Sequence, residues 1–275
     1  IPGLDLYFAA DTCFAKQSLK KSPLQKYTRR YRQSMEFEKE VFSRDSKSKI
    51  LLLNEIQSQD FQDIYSTQLE RLTLIPPGIE KNWNLHESIN IAEKFNLPKN
   101  EKIILFVGSD FSRKGLDRAI LGISHLLKQN ISATLLVLGD DNKGPYEKII
   151  KKLSLNDRVI FLGPRKDVAS FMKSSHLLVH PAREEAAGNI IIEALVSGLP
   201  SLVSSEVGFS TEVLKHKSGM VVEGEFKQER FNFLLEESLS YEKLTLVKEI
   251  IKPLASNNYF YSRFNFVADF IEEAF

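Results

Sequence analysis

The apolar residues of this chain fall in short, nearly unbroken runs separated by longer stretches with helical spacing. Six such runs, Ile103–Val107, Thr134–Leu138, Val159–Leu162, Leu177–His180, Ser201–Ser204 and Gly219–Val222, read as strands. Strands this continuously apolar are covered on both faces. Helical patterns at about 115–129, 144–154, 166–174, 188–198 and 210–216 lie between them. Strands alternating with helices predict an α/β fold with a parallel, doubly wound sheet. Ahead of this region, Leu74-Ile-Pro-Pro-Gly-Ile79 refuses helix and marks a domain boundary.

Residues 1–75 hold only three strand-like runs, at 4–9, 49–53 and 72–75, with helices near 26–42 and 55–64. That is expected of the second half of a Rossmann-like domain. The chain opens on Ile1 and goes straight into the extended run Leu4–Phe8, so an N-terminal portion is expected to precede it. The expected organisation is 1–75 as part of an N-terminal domain and 76–250 as a C-terminal Rossmann-like domain. A helical tail, 251–275, would return to the first domain through Tyr259, Phe260, Phe264 and Phe270.

Composition narrows the function classes. The 275 residues are 43% hydrophobic and carry a net charge of +1, which does not point to nucleic acid. One cysteine, Cys13, excludes an internal disulfide framework and fits a reducing compartment. No apolar run approaches the ~18 residues of a membrane-spanning helix, and no signal-peptide pattern opens the chain.

Candidate chemistry gathers after the carboxyl ends of the strands, where open α/β sheets bind ligands. The richest segment is His180 to Pro200. There a strand leads into a loop with Glu184 and Glu185, Gly188-Asn189 opens an apolar helix, Glu193 lies one turn inside it, and Gly198-Leu-Pro200 ends it. Small residues at a helix mouth leave the first N–H groups approachable by an anion, here those of Ala187, Gly188 and Asn189. A carboxylate at Glu193 suits a ribose diol, and one at Glu185 suits sugar hydroxyls. Gly108 to Gly115 follows the first strand of the larger domain and carries Arg113 and Lys114, a basic pair suited to a diphosphate. The five histidines are scattered, so no metal site is expected, and His180 is expected to be a satisfied structural residue.

A second segment stands apart. Between Asp11 and Glu36 lie Lys16, Lys20, Lys21, Lys26, Arg29, Arg30 and Arg32, with no acid and with Leu24, Tyr27 and Tyr31 interleaved. Such a basic, aromatic helix fits an anionic membrane surface or a phosphorylated acceptor; a solvated helix face is the plain alternative.

Glu185-x7-Glu193 followed by Gly-Leu-Pro resembles the signature of retaining nucleotide-sugar glycosyltransferases of the GT-B fold, which pair two Rossmann-like domains. His180-Pro181, Pro2-Gly-Leu-Asp5, Ala9-Ala-Asp11, Tyr31-Arg32, Pro76–Ile79, Gly108–Gly115 and Asp117-Arg118 extend the likeness along most of the chain. Within that family it is most similar to enzymes that add the first glucose to the heptose region of lipopolysaccharide core. The resemblance implies catalytic roles for Glu185, Arg113 and Lys114. It implies donor binding by Gly108, Arg113, Lys114, Arg165, Glu185, Ala187, Gly188, Asn189 and Glu193, with UDP-glucose as donor and a lipopolysaccharide core acceptor. It further implies transfer without a metal or other cofactor, the leaving phosphate helping to deprotonate the acceptor. Membrane contact would run through Lys20, Lys21, Lys26, Arg29, Arg30 and Arg32, placing the protein in the cytoplasm on the inner face of the bacterial inner membrane. Asn189 departs from the aliphatic residue of the resembled enzymes, which bears on donor choice. The alternatives are a same-fold transferase with another donor or acceptor, and a non-catalytic nucleotide-binding or membrane-associated module.

Overall fold

The computed structural model describes residues 3–19 and 22–274. They form two compact units, one running to Pro77 and resuming at Ser262, the other spanning Gly78–Tyr261.

In the first unit, β1 (Leu6–Ala9), β2 (Lys49–Leu52) and β3 (Leu72–Leu74) form a parallel sheet in that order. Leu6 lies opposite Lys49, and Ile50 opposite Leu72. Its core gathers Ala9, Cys13, Ile50 and Leu52 around Phe42, which stacks on Phe61 at 3.5 Å between ring centroids. Burial pushes the Cys13 thiol up to about 12, so this cysteine behaves as a small core residue.

Two local features depart from the sequence expectation. The helix foreseen at 26–42 is broken into Pro23–Lys26 and Arg29–Phe42, because Thr28 turns extended and its Oγ1 accepts a hydrogen bond from Tyr31 N. Phe14–Ser18 is helical although its pattern is too short to signal a helix. The carboxylate of Glu38 accepts from Phe14 N at 2.6 Å and from Ala15 N at 2.8 Å, satisfying the start of this helix from 24 residues away.

The C-terminal crossover also begins later than residue 251. Helix Tyr241–Ile251 continues into 3-10 turns at Lys252–Ser256 and Asn258–Tyr261, and both Ile251 and Phe260 are buried. Ile79 N donates to Phe260 O, which keeps this stretch with the second unit. Only the helix Arg263–Ala274 belongs to the first. There Arg263 Nε donates to Pro76 O, and Lys49 Nζ lies 5.8 Å from the centre of the Phe270 ring. Phe260 therefore packs in the second unit and Phe264 is exposed, so neither ties the tail to the first unit.

The second unit carries six parallel strands: β4 (Lys102–Val107), β5 (Ala133–Leu138), β6 (Val159–Gly163), β7 (Leu177–His180), β8 (Ser201–Ser204) and β9 (Gly219–Val222). Their spatial order is β6-β5-β4-β7-β8-β9. The first strand of the unit is central, its successors leave to one side, and the chain then crosses back to build the other. This is the doubly wound Rossmann order, with its switch point between β4 and β7. Alternate residues explain the unbroken apolar runs. Ile104, Phe106, Leu135 and Val137 join the cluster under helices Leu116–Lys128 and Gln228–Ser238. Ile103, Leu105, Leu136 and Leu138 join the opposite one, with Phe171 of helix Val168–Ser174. Both faces are buried, so neither alternates with polar residues.

Candidate active site

Two loops leave the sheet at the β4/β7 switch point, and the sequence candidates Gly108, Arg113, Lys114 and Glu185 lie on them. After β4 the chain makes a tight passage through Gly108, whose φ of 143° suits glycine. Gly108 N donates to Leu138 O, and Gly139 N donates to Gly163 O, so the ends of β4, β5 and β6 step across one another. Space here is minimal, since a Cβ on Gly139 would lie 2.2 Å from Gly108 O. Asp110 then starts the short helix Phe111–Lys114, its carboxylate accepting from Arg113 N, while Asp141 caps the same turn through Phe111 N at 2.7 Å.

That turn aims Arg113 and Lys114 at the loop after β7. Arg113 Nη1 donates to Glu185 Oε2 at 3.0 Å and to Glu184 O at 3.1 Å; its Nε donates to Asp110 Oδ2 at 2.8 Å. Lys114 Nζ is in contact with the same Glu185 oxygen. Two cations thus meet on one mostly buried carboxylate. Burial, and then the neighbouring Arg113 charge, draw the Lys114 ammonium down to about 8 against the pull of Asp110.

Beneath them, at the end of β7, His180 is fully buried, and neither ring nitrogen has a partner among the described residues. Burial, with the charges of Lys114 and Arg113, lowers it to about 3, so the ring is neutral under working conditions. This corrects the expectation of a satisfied histidine. No register of polar residues in the sequence reveals whether a strand-end imidazole finds a partner.

The Glu185 loop is fastened on its far side. Glu185 N donates to Glu206 O, Gly208 N to Glu185 O, and Phe209 N to Ala187 O. Gly188, at φ 83°, begins the helix Asn189–Val196, and a Cβ there would lie 2.5 Å from Val207. Ile191, Ile192, Ala194 and Leu195 bury the rest of that helix. Asn189 is exposed at its first position. Glu193 is half-buried one turn in, and burial, with a contribution from Glu80, raises its carboxyl to about 7.

Among the described residues, neither Glu193 nor Arg165 bonds to the Arg113–Lys114–Glu185 cluster. Arg165 follows β6, two strands from the switch point, where its guanidinium grips Asp167 at 2.8 and 2.6 Å. The pairings of Arg183 and Arg118 near the site follow from no local signal in the sequence. Arg183 bonds Asp117 with both terminal nitrogens, and Arg118 Nη1 donates to Pro181 O and Ala182 O while its guanidinium lies 3.7 Å over the Phe226 ring. These pairs span more than sixty residues, beyond the reach of any spacing rule.

Of the basic segment, Lys20 and Lys21 lie outside the described residues. Arg29, Arg30 and Arg32 are exposed and Lys26 is partly so. Lys16, also exposed, has its charge paired with Asp60 at 2.5 Å. Leu24 and Tyr27 stand out from the basic surface, 82% and 80% exposed.

Arginine and lysine converging on a carboxylate beside a helix mouth, at the switch point of a Rossmann sheet, make a site for an anionic, hydroxyl-rich ligand. The chain is 36% identical over 253 residues to the lipopolysaccharide glucosyltransferase WaaG of Escherichia coli K12, covering 90% of this chain and 68% of that protein. It superimposes on the crystal structure of WaaG, a glycosyltransferase involved in lipopolysaccharide biosynthesis, with a TM-score of 0.87 at 33% identity, covering 98% of this chain and 75% of that one. The fold is shared with Anabaena Alr3699/HepE solved in complex with UDP-glucose, at a TM-score of 0.75 and 18% identity over 98% of this chain and 72% of that one. Residues 87–250 match the model of glycosyl transferases group 1. The two parallel sheets are those of a GT-B enzyme, and the chain belongs to the group 1 glycosyltransferases.

Proposed function

We propose that this glycosyltransferase moves glucose from UDP-glucose to a heptose of the lipopolysaccharide inner core, with retention at the anomeric carbon. The observation that carries the reading is the convergence of Arg113 and Lys114 with Glu185 at the β4/β7 switch point, next to the start of helix Asn189–Val196. Likeness to the lipopolysaccharide glucosyltransferase of Escherichia coli supports donor and acceptor.

In this reading the diphosphate lies across Arg113 and Lys114, and main-chain N–H groups of Ala187, Gly188 and Asn189 meet its outer oxygens. As the bond from the sugar to phosphate breaks, negative charge grows on the leaving oxygen. Fixed cations in a partly dry site stabilise that charge more than they stabilise the bound donor. The leaving phosphate takes the proton of the acceptor hydroxyl, so no side-chain base is required. Glu185 orients the sugar hydroxyls and Glu193 the ribose diol. The basic pair supplies the positive charge that a divalent metal gives other nucleotide-sugar enzymes, so the transfer is metal-independent.

The acceptor is anchored in a membrane, and the exposed Lys26, Arg29, Arg30 and Arg32 with Leu24 and Tyr27 suit docking on the anionic inner face of the inner membrane. The decisive experiment offers the protein heptose-terminated lipopolysaccharide with a panel of nucleotide sugars. Transfer from UDP-glucose, with an α-linked product by NMR, is expected. Transfer only from another donor would reassign the sugar, and UDP binding without transfer from any donor would favour a non-catalytic module.

A further inference from the structure

Arg183 makes bonds that a surface loop residue does not need. Its main-chain N–H donates to Arg113 O at 2.7 Å, and its Nη1 donates to Ser112 O at 2.7 Å. The same guanidinium forks onto Asp117, Nη1 to Oδ1 at 2.9 Å and Nη2 to Oδ2 at 2.6 Å. Three of the five N–H donors of the guanidinium are therefore committed to the segment 112–117. A side chain so occupied is a strut rather than a ligand for substrate. From a position two residues before Glu185, it braces the stretch of chain that carries Arg113 and Lys114, both of which make ion pairs with Glu185. Asp117 answers it electrostatically: burial works to raise its carboxyl, yet the Arg183 fork holds it below the ordinary value.

We propose that Arg183 and Asp117 form a clamp that positions Arg113 for the donor diphosphate by locking the 112–117 segment to the loop after β7. The inference rests on the donor-site reading given above. Fork geometry matters here, because a bidentate guanidinium fixes both distance and angle where an ammonium fixes only distance. Neither residue touches substrate; both are positioning residues.

The test is a double-mutant cycle on UDP affinity, measured by calorimetry with the full chain. Arg183→Ala is expected to weaken UDP binding about tenfold in the wild-type background, and to change it little in an Arg113→Ala background, because the clamp acts through Arg113. Equal loss in both backgrounds would reduce Arg183 to a general structural role, and no loss in either would remove the clamp altogether. Arg183→Lys keeps the charge without the fork and guards against an unfolded alanine variant; its affinity should fall between wild type and alanine, and wild-type affinity would overturn the geometric argument. The exchange Arg183→Asp with Asp117→Arg should recover affinity lost by either change alone, and failure to recover it in a folded protein counts against the pairing. Lys114→Ala separates the two levels. If it leaves UDP affinity unchanged, the donor-site reading fails and the clamp with it. If it weakens UDP while Arg183→Ala does not, only the clamp fails.

Discussion

A side chain on Gly115 would place its first carbon 2.1 Å from the carbonyl oxygen of Pro181. The two residues belong to the two loops of the switch point, so this backbone contact sets how closely the Arg113–Lys114 turn approaches the Glu185 loop. Gly115 also sits at φ 77°, which L side chains rarely adopt.

Gly115→Ala should therefore combine backbone strain with a clash that no rotamer relieves. A loss of about 2–4 kcal/mol is expected, with a fall in melting temperature of about 5–15 °C. Thermal unfolding of the two proteins checks it. A variant as stable as wild type would mean that the loops separate freely.

The pattern of apolar residues was enough to place the strands of the second unit and the loop edge on which the candidate residues gather. Runs such as Leu177–His180 and Ser201–Ser204 have ends that coincide with β7 and β8, because a strand buried on both faces stops being apolar where it leaves the helical layers. Gly108, Arg113, Lys114 and Glu185 then meet because the Rossmann order makes β4 and β7 neighbours, although 72 residues separate Arg113 from Glu185. What stayed hidden has no local period. The Glu38 cap on Phe14 and the Arg183–Asp117 fork are each a single long side chain reaching a distant partner, and the Thr28 cap that divides the basic helix is one hydroxyl on Tyr31 N. The tail was misplaced for a related reason: Tyr259 and Phe260 are as apolar as Phe264 and Phe270, and only packing decides that Phe260 fills the second unit.

Glu193 should couple stability to pH. Its folded-state carboxyl titrates at about 7, raised by burial and then by Glu80 from an ordinary value of 4.5. The folded state thus holds the proton more tightly than the unfolded state, and this contribution is complete below 4.5 and lost as pH rises through 7. The difference corresponds to about 3 kcal/mol. Denaturant midpoints measured between pH 4.5 and 8 should fall more steeply for wild type than for Glu193→Gln. Identical slopes would remove the buried-carboxyl account.

The same carboxylate must be ionised to accept both ribose hydroxyls well, so UDP affinity should rise through pH 7. Lys114 acts at the other limit: with its ammonium near 8, affinity for a diphosphate should decline above that pH. Lys114→Ala should weaken UDP about 10- to 150-fold, the equivalent of one charge-assisted bond of about 1.5–3 kcal/mol, and abolish the alkaline decline. Calorimetry across pH 6–9 reads both limbs. A decline that persists in the alanine variant belongs to another group.

Arg113 and Lys114 also bear on metal dependence. If they carry the diphosphate charge, glucosyl transfer should proceed in EDTA at the rate seen with added Mg²⁺ or Mn²⁺. Loss of turnover on chelation, restored by either ion, would show that the basic pair does not suffice.

The basic surface of the first unit makes a separate prediction. Arg29, Arg30 and Arg32 are exposed at the start of one helix, and Leu24 and Tyr27 lie exposed just before it. Near an anionic leaflet each basic side chain contributes about 1 kcal/mol, so replacing the three arginines with Gln should remove about 3 kcal/mol, more than a hundredfold in partitioning. Attraction of this kind is screened over about 10 Å at 0.1 M salt, so binding to vesicles containing anionic phospholipid should fall steeply as salt is raised. Tyr27 and Leu24 contribute through apolar insertion, which salt does not weaken. Tyr27→Ser should therefore lower binding by a similar factor at low and high ionic strength, while the arginine variant, which keeps Lys26, shows a shallower salt dependence. Co-sedimentation with neutral and anionic vesicles distinguishes the two contributions. Equal partitioning onto both kinds of vesicle, unaffected by the arginine replacements, would take the electrostatic role away from this helix and leave the exposed arginines as solvated surface.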